Sequence, residues 1–277
     1  MAIERLFEGP ASAAAQSLGD RAEQQDHAGM VALRSSDEDP MTLYVLADGM
    51  GGHAAGAEAG RRVVQSMLTT VNAEPSEGMG GRLRAGLDAA GTALRDFVSD
   101  NPDAEGMGAT LVAAVVDAHA LQWLSVGDSG LYLLREGHLE RLNADHSMAP
   151  VYETMRREGK ISDEEFATAP NKHMLRSAVT GDPVELIDCP QAPVALRPGD
   201  RLLIASDGLD TLAQDDVIRL LSQGTPGEAV DALIKAVAEV GKPRQDNTTV
   251  CVIDGPLGTA HNSKPTFGRR LRRLFGM

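Results

Sequence analysis

The sequence predicts an α+β fold in which antiparallel sheet packs against paired helices. The first observation behind this is a pair of long amphipathic segments, 55–72 and 81–100, that follow one another directly and are flanked by strand-like runs. Val64, Met67 and Leu68 recur at helical spacing in the first segment, and Leu83, Leu87, Ala90, Leu94 and Phe97 share one face of the second. The second observation is the set of apolar runs at 109–116, 120–126 and 130–135, separated only by Asp117-Ala118-His119 and Gly127-Asp128-Ser129. Short connections between consecutive strands imply antiparallel pairing. The third is size: 277 residues, 42% of them hydrophobic, suffice for one large domain with a substantial core.

The elements follow in order. Residues 1–20, rich in Ala, Ser and Gly, predict an irregular lead-in and an edge strand, and Gly29–Leu33 predicts a strand. A polar loop at 35–40 leads into the apolar run Leu43–Ala47, which stops at Asp48. The helical pair and the three strand runs come next. Residues 148–183 change character and read as a flap inserted into the domain. It holds a short helix near 150–158 and a second helix start, Ile161-Ser162-Asp163-Glu164-Glu165, with Ser162 as cap. A strand at 201–206, a helix near 214–222, a helix at 226–240 opened by Pro226, and a strand at 248–253 complete a domain spanning 1–257.

Residues 258–277 lie outside that pattern. They carry Lys264, Arg269, Arg270, Arg272 and Arg273 and no acid, with Phe267, Leu271, Leu274 and Phe275 at i, i+4, i+7 and i+8. This reads as a flexible basic amphipathic tail, with docking on a partner or an anionic membrane as the alternative. Gly268 and Gly276 weaken its helical character.

Composition narrows the functional classes. With 3% aromatic residues the core must be built mostly from Ala, Val, Leu, Ile and Met, and the composition argues against platforms for stacking single-stranded bases. The net charge of −14 repels a phosphate backbone, so nucleic acid is not an expected partner. Cys189 and Cys251 fit no zinc spacing; Cys251, inside the 248–253 run, is expected to be a small buried hydrophobe. The expected compartment is reducing and cytoplasmic, since Glu4, Arg5 and Glu8 interrupt the beginning and no run reaches membrane-helix length.

The chemistry concentrates in carboxylates beside apolar runs. Leu43-Tyr44-Val45-Leu46-Ala47-Asp48-Gly49-Met50-Gly51-Gly52-His53 delivers Asp48 at what reads as a strand end, and Leu202-Leu203-Ile204-Ala205-Ser206-Asp207-Gly208-Leu209 is a near copy. Asp-Gly between apolar runs is also a hairpin signal, so either copy alone is weak. Asp26, Asp128 and Asp246 stand in similar settings. Asp is depleted in strands and unpaired buried charge is costly, so converging carboxylates call for a hard divalent cation.

The order of these pieces resembles the metal-dependent Ser/Thr protein phosphatases of the type 2C family, bacterial type. The segments that carry the resemblance are Arg21–Asp26, Ala47–His53, Gly108–Leu111, Gly127–Ser129, Asp145–Ser147, Ser206–Leu209 and Asp246–Val250, spread over about residues 18–254. The resemblance implies a four-layer αββα sandwich of two antiparallel sheets flanked by helical pairs. It implies a centre of two Mn²⁺ or Mg²⁺ ions: Asp48 bridging, the Gly49 carbonyl on the first, Asp207 and Asp246 on the second, and Asp26 acting through water. It implies that Arg21 binds the substrate phosphate and that phosphoserine and phosphothreonine are hydrolysed by a metal-activated water. The expected partners are phosphorylated proteins, a cognate Ser/Thr kinase among them.

The chain departs from the family pattern in places. Gln25 replaces a common Glu. Met50 replaces the histidine proposed as general acid in animal members, and His53 need not take its place. A third, weaker metal uses the Asp matching Asp128 and a carboxylate at the position of Thr211, with Asp210 one residue earlier; this site is expected to be weakened or rearranged. His146 is expected to be a turn histidine. The alternative to catalysis is a phosphoprotein-binding regulatory module on the same fold. A two-metal nuclease would suit the carboxylates but clashes with the acidic charge.

Overall fold

A computed structural model describes residues 2–33, 40–52, 54–73 and 78–256. The expected basic tail at 258–277, most of the polar loop at 35–40, and His53 lie outside the described residues.

The first sheet contains β1 (Glu4–Glu8), β2 (Ser12–Ser17), β8 (Gly130–Arg135), β9 (His138–Arg141), β11 (Arg201–Ala205) and β12 (Thr248–Asp254), in the order β1-β2-β12-β11-β8-β9. The second contains β3 (Asp26–Leu33), β4 (Met41–Met50), β6 (Leu111–Val116), β7 (Ala120–Val126) and β10 (Val194–Ala195), in the order β10-β7-β6-β4-β3. The short β5 (Gly108–Ala109) pairs with the far end of β4. All strand pairs are antiparallel.

The alternation of side chains along each strand builds the layers. On β4, Tyr44 and Leu46 point at the first sheet, where Leu131, Leu133, Leu202, Ile204 and Cys251 meet them. Leu43, Val45 and Ala47 point the other way, against α1 (Ala54–Ala73) and α2 (Met79–Asp100). Leu203, Ala205, Val250 and Val252 pack outward on α5 (Gln214–Leu221) and α6 (Pro226–Val240). The result is four layers, αββα, with three apolar interfaces, as expected. Strands buried on both faces read as continuous apolar runs, which is why composition without periodicity marked them. Cys251 is 2% exposed between the sheets, as its run suggested.

Several expectations are corrected. Residues 4–17 form a hairpin whose second strand, β2, is wholly buried beside β12, while β1 is an edge strand. The run at 109–116 is interrupted at Thr110, where β5 ends and β6 begins. Gly127-Asp128-Ser129 is not a hairpin turn. It carries the chain from β7 in one sheet to β8 in the other, with Gly127 at φ +97°. Strand β4 does not stop at Asp48 but continues to Met50, because β5 supplies partners for Gly49 and Met50.

The flap is also narrower than 148–183. Ser147 pairs with Leu175 in an isolated bridge and closes a loop carrying α3 (Ala149–Arg157) and α4 (Asp163–Ala167). Beyond it, Val179 is fully buried and bridged to Ala109, so those residues belong to the body. The expected Ser162 cap is present: its hydroxyl accepts from Glu165 N at 3.1 Å. Among the described residues no helix is long and apolar enough to cross a membrane.

Candidate active site

The site lies where β3 and β4 of one sheet approach the ends of β11 and β12 of the other. Asp26 and Asp48 face each other in register across β3 and β4. Asp26 is 1% exposed, yet only one of its oxygens is held: Oδ2 accepts from Ser206 Oγ at 2.7 Å. Ser206, itself 2% exposed, accepts from Thr249 N at 2.9 Å and donates its own N–H to Thr249 O at 3.0 Å. One hydroxyl thus ties the two sheets together immediately before Asp207.

Asp48 is held through its backbone. Its N–H donates to Thr110 Oγ1 at 3.0 Å and its carbonyl accepts from Thr110 N at 2.9 Å. Thr110 Oγ1 also pairs with Ser129 Oγ at 2.7 Å, beside Asp128. The break between β5 and β6 therefore has a purpose: it turns Thr110 to clasp the peptide on both sides of Asp48. Gly49 follows because nothing larger fits; a Cβ there would lie 2.0 Å from Gly56 O.

Asp207 opens a 3-10 turn, Asp207–Thr211, at the end of β11. Asp246 immediately precedes Asn247, whose Oδ1 accepts from Gln25 N at 2.8 Å and whose Nδ2 donates to Leu18 O at 2.8 Å. Arg21, exposed in the connection from β2 to β3, pairs with Asp246 through Nη2 and Oδ2. Neither Asp-Gly copy forms a hairpin turn.

Electrostatics bind these residues into one site. Burial pushes the Asp48 carboxyl well above the usual carboxylate range, and Asp26, Asp207, Asp246 and Asp128 raise it further. Asp207 is pushed up to about 7 by burial, then by Asp128, Asp246 and Asp26. Asp26 rises to about 6, with burial opposed by its hydrogen bond from Ser206. Asp128 also rises to about 6, mainly by burial and then by Asp145. Arg21 is shifted the favourable way by its bond to Asp246, and it feels Asp48 and Asp207 as well.

A divalent cation fits this set. Asp26 Oδ1 and Asp207 Oδ1 are buried without hydrogen-bond partners, and mutual repulsion among the carboxylates leaves the site short of positive charge. Among the described residues no three His, Cys, Asp or Glu side chains close around one point.

Asp128 and Asp210 also act on Asp207, and Asp128 raises its pKa more than any other charge does. Arg141 Nη2 donates to Asp128 O at 2.7 Å and Arg141 Nη1 to Asp145 Oδ2 at 3.2 Å; burial raises the pKa of Asp210, and the same guanidinium opposes that rise. Thr211 turns its hydroxyl to Gln245 Oε1 at 2.7 Å. His146 accepts from Gly127 N at its Nδ1, 3.2 Å away, and burial lowers its pKa; it braces the crossing between the sheets. Thr110, Ser206 and Asn247 lie inside the Asp-bearing motifs with no task legible from the sequence, and Gln245 lies just outside one. The available signal was polar residues inside runs otherwise destined for the interior; Ser206 and Thr110 are each 2% exposed.

A sequence model of the protein phosphatase 2C family matches residues 18–240. The chain belongs to the protein phosphatase 2C family. It is 35% identical over 228 residues to the serine/threonine protein phosphatase PstP of Mycobacterium tuberculosis, covering 80% of this chain but only 43% of PstP. It is 30% identical to the serine/threonine phosphatase stp of Listeria monocytogenes, covering 80% of this chain and 87% of that protein. The crystal structure of the PstP catalytic domain with two manganese ions aligns with a TM-score of 0.73 at 32% identity, covering 91% of this chain and 99% of that domain. Among these family members, the Staphylococcus aureus phosphatase structure aligns with a TM-score of 0.71 at 25% identity, covering 90% of this chain and 96% of the other.

Proposed function

We propose that this chain is a metal-dependent protein phosphatase that removes phosphate from phosphoserine and phosphothreonine in proteins. The carrying observation is the cluster of Asp26, Asp48, Asp207 and Asp246 where the two sheets meet, beside Arg21: the carboxyl pKa values of Asp26, Asp48 and Asp207 are raised, and Asp26 Oδ1 and Asp207 Oδ1 are orphaned. Family membership and the manganese-bound relative support the reading.

Asp48, the Gly49 carbonyl, Asp207 and Asp246 would hold two Mn²⁺ or Mg²⁺ ions, with Asp26 acting through water. Bound there, the ions would lower the pKa of water toward neutrality and offset charge on the phosphoryl oxygens. The chain's own groups supply the rest. Arg21 offers charge-assisted hydrogen bonds to a phosphoryl oxygen, and its pairing with Asp246 presets the guanidinium. Thr110 fixes the peptide of Asp48, and Ser206 fixes Asp26, so the carboxylates are oriented before substrate arrives. The thiols take no part: burial pushes both Cys189 and Cys251 upward, away from the reactive thiolate.

The natural targets in this reading are a Ser/Thr kinase and its substrates, and the site of action is the cytoplasm. The test is phosphate release from an aryl phosphate and from a phosphothreonine peptide, with Mn²⁺ and with chelator. Turnover that needs the metal is expected. Phosphopeptide binding without hydrolysis would establish the regulatory-module alternative instead.

A further inference from the structure

Gln245 meets the loops that carry Arg21, Asp207 and Asp246. The chain turns at Arg244, a non-glycine residue at φ +57°, and sends Gln245 inward to 5% exposure. Its Nε2 donates to Gly208 O at 3.0 Å and to Thr248 Oγ1 at 3.2 Å, while its Oε1 accepts from Thr211 Oγ1 at 2.7 Å. Its backbone N–H donates to Asp20 Oδ2 at 3.1 Å, and its carbonyl accepts from Asp20 N at 2.8 Å, next to Arg21. The contact between the loops is flush: a Cβ on Gly208 would lie 2.0 Å from Asn247 O.

Resting on the function just proposed, we propose that Gln245, acting with Thr211, is a positioning residue that sets the spacing of the Asp207 turn and the Asp246 loop for the metal centre. The amide is the group the place demands. It donates to a carbonyl and accepts from a hydroxyl at one tip. A carboxylate at Gln245 or Thr211 would add negative charge beside aspartates that already repel one another. A hydrocarbon at Gln245 would strand the Thr211 hydroxyl and remove a partner from the Gly208 carbonyl. Both residues act through the ligand-bearing backbone.

The test is calorimetric Mn²⁺ titration of the full chain and of Gln245→Met, Thr211→Val, Thr211→Ser and the Gln245→Met/Thr211→Val pair. Gln245→Met and Thr211→Val should each weaken Mn²⁺ binding about tenfold or more, the scale expected when a group supporting a metal ligand is removed. The double variant should lose less than the product of the single losses, because both remove the same hydrogen bond. Thr211→Ser, which keeps the hydroxyl, should bind within about twofold of wild type. The Mn²⁺ concentration for half-maximal aryl phosphate turnover should rise by a larger factor than kcat falls. Unchanged Mn²⁺ affinity in Thr211→Val, or in a folded Gln245→Met, would overturn the inference alone. A wild-type chain that binds no Mn²⁺ would overturn the proposed function and this inference together.

Discussion

A carboxylate is costly to bury unless something answers its charge, and Asp207 makes that cost measurable. Its folded pKa of about 7 stands above the ordinary value of 3.8, so the metal-free folded protein holds this proton more tightly than the unfolded chain. The contribution to stability is full below about pH 4 and is lost as pH rises through about 7. Asp207→Asn should therefore stabilise the metal-free protein by on the order of 1–3 kcal/mol near pH 8, and by much less at pH 4 to 5. Thermal unfolding of both proteins across that range, with chelator present, measures the difference. A gap in Tm that does not widen with pH would contradict the assignment. The same variant should lose at least about a hundredfold in turnover, since it removes a proposed metal ligand. Gly49→Ala tests the neighbouring position. The added methyl meets the Gly56 carbonyl and carbon at 2.0 and 2.7 Å, all backbone, so β4 must shift. Turnover should collapse, and the unfolding midpoint should fall along with it.

At the scale of elements, the flap is proposed to serve substrate choice rather than the chemical step. The loop closed by Ser147 and Leu175 carries α3 and α4, neither of which buries a side chain fully. It is held by local contacts instead: Arg156 pairs with Glu153 and Asp163 and lies over Phe166. Such a segment opens at little cost and can adapt to a protein surface. Replacing 149–173 by a short Gly-Ser linker should reduce turnover of a phosphothreonine peptide several-fold more than turnover of an aryl phosphate. Steady-state kinetics on both substrates decide it, and equal losses would remove the flap from substrate choice. By contrast, α6 is an anchored element, with a Thr225/Glu228 capping box at its start and Leu233, Ile234 and Val237 on the sheet. Thr225→Ala should cost about 1 kcal/mol in denaturant unfolding and leave turnover unchanged.

At the scale of the molecule, the site is a seam. Asp26 and Asp48 belong to one sheet, while Asp207 and Asp246 terminate or precede strands of the other. Charge repulsion there pushes the sheets apart, and the apolar interface between them, from Tyr44 and Trp123 to Ile204 and Ile253, holds them together. A divalent ion answering that repulsion should bind the folded chain and not the unfolded one. Mn²⁺ at about a hundred times its dissociation constant should then add about 2.7 kcal/mol to stability near pH 8, and a chelator should remove it. Calorimetric scans with and without Mn²⁺ provide the check.

The length, the paired amphipathic helices, the apolar runs and the ordered Asp-bearing motifs were legible in the residues themselves, because helical period and burial on both faces are written locally. Asp26, Asp48, Asp207 and Asp246 stand out as carboxylates beside apolar runs, whereas Arg21 was marked only by the resemblance to the family. What the chain order could not reveal was partnership across distance. Nothing near Gly127 says that β7 and β8 part into different sheets, nothing near Asp48 says that β5 will carry its strand two residues further, and no local pattern joins Gln245 to Thr211. Those outcomes were decided by tertiary structure, since they depend on which backbone groups remain to be satisfied once the two sheets have closed on one another.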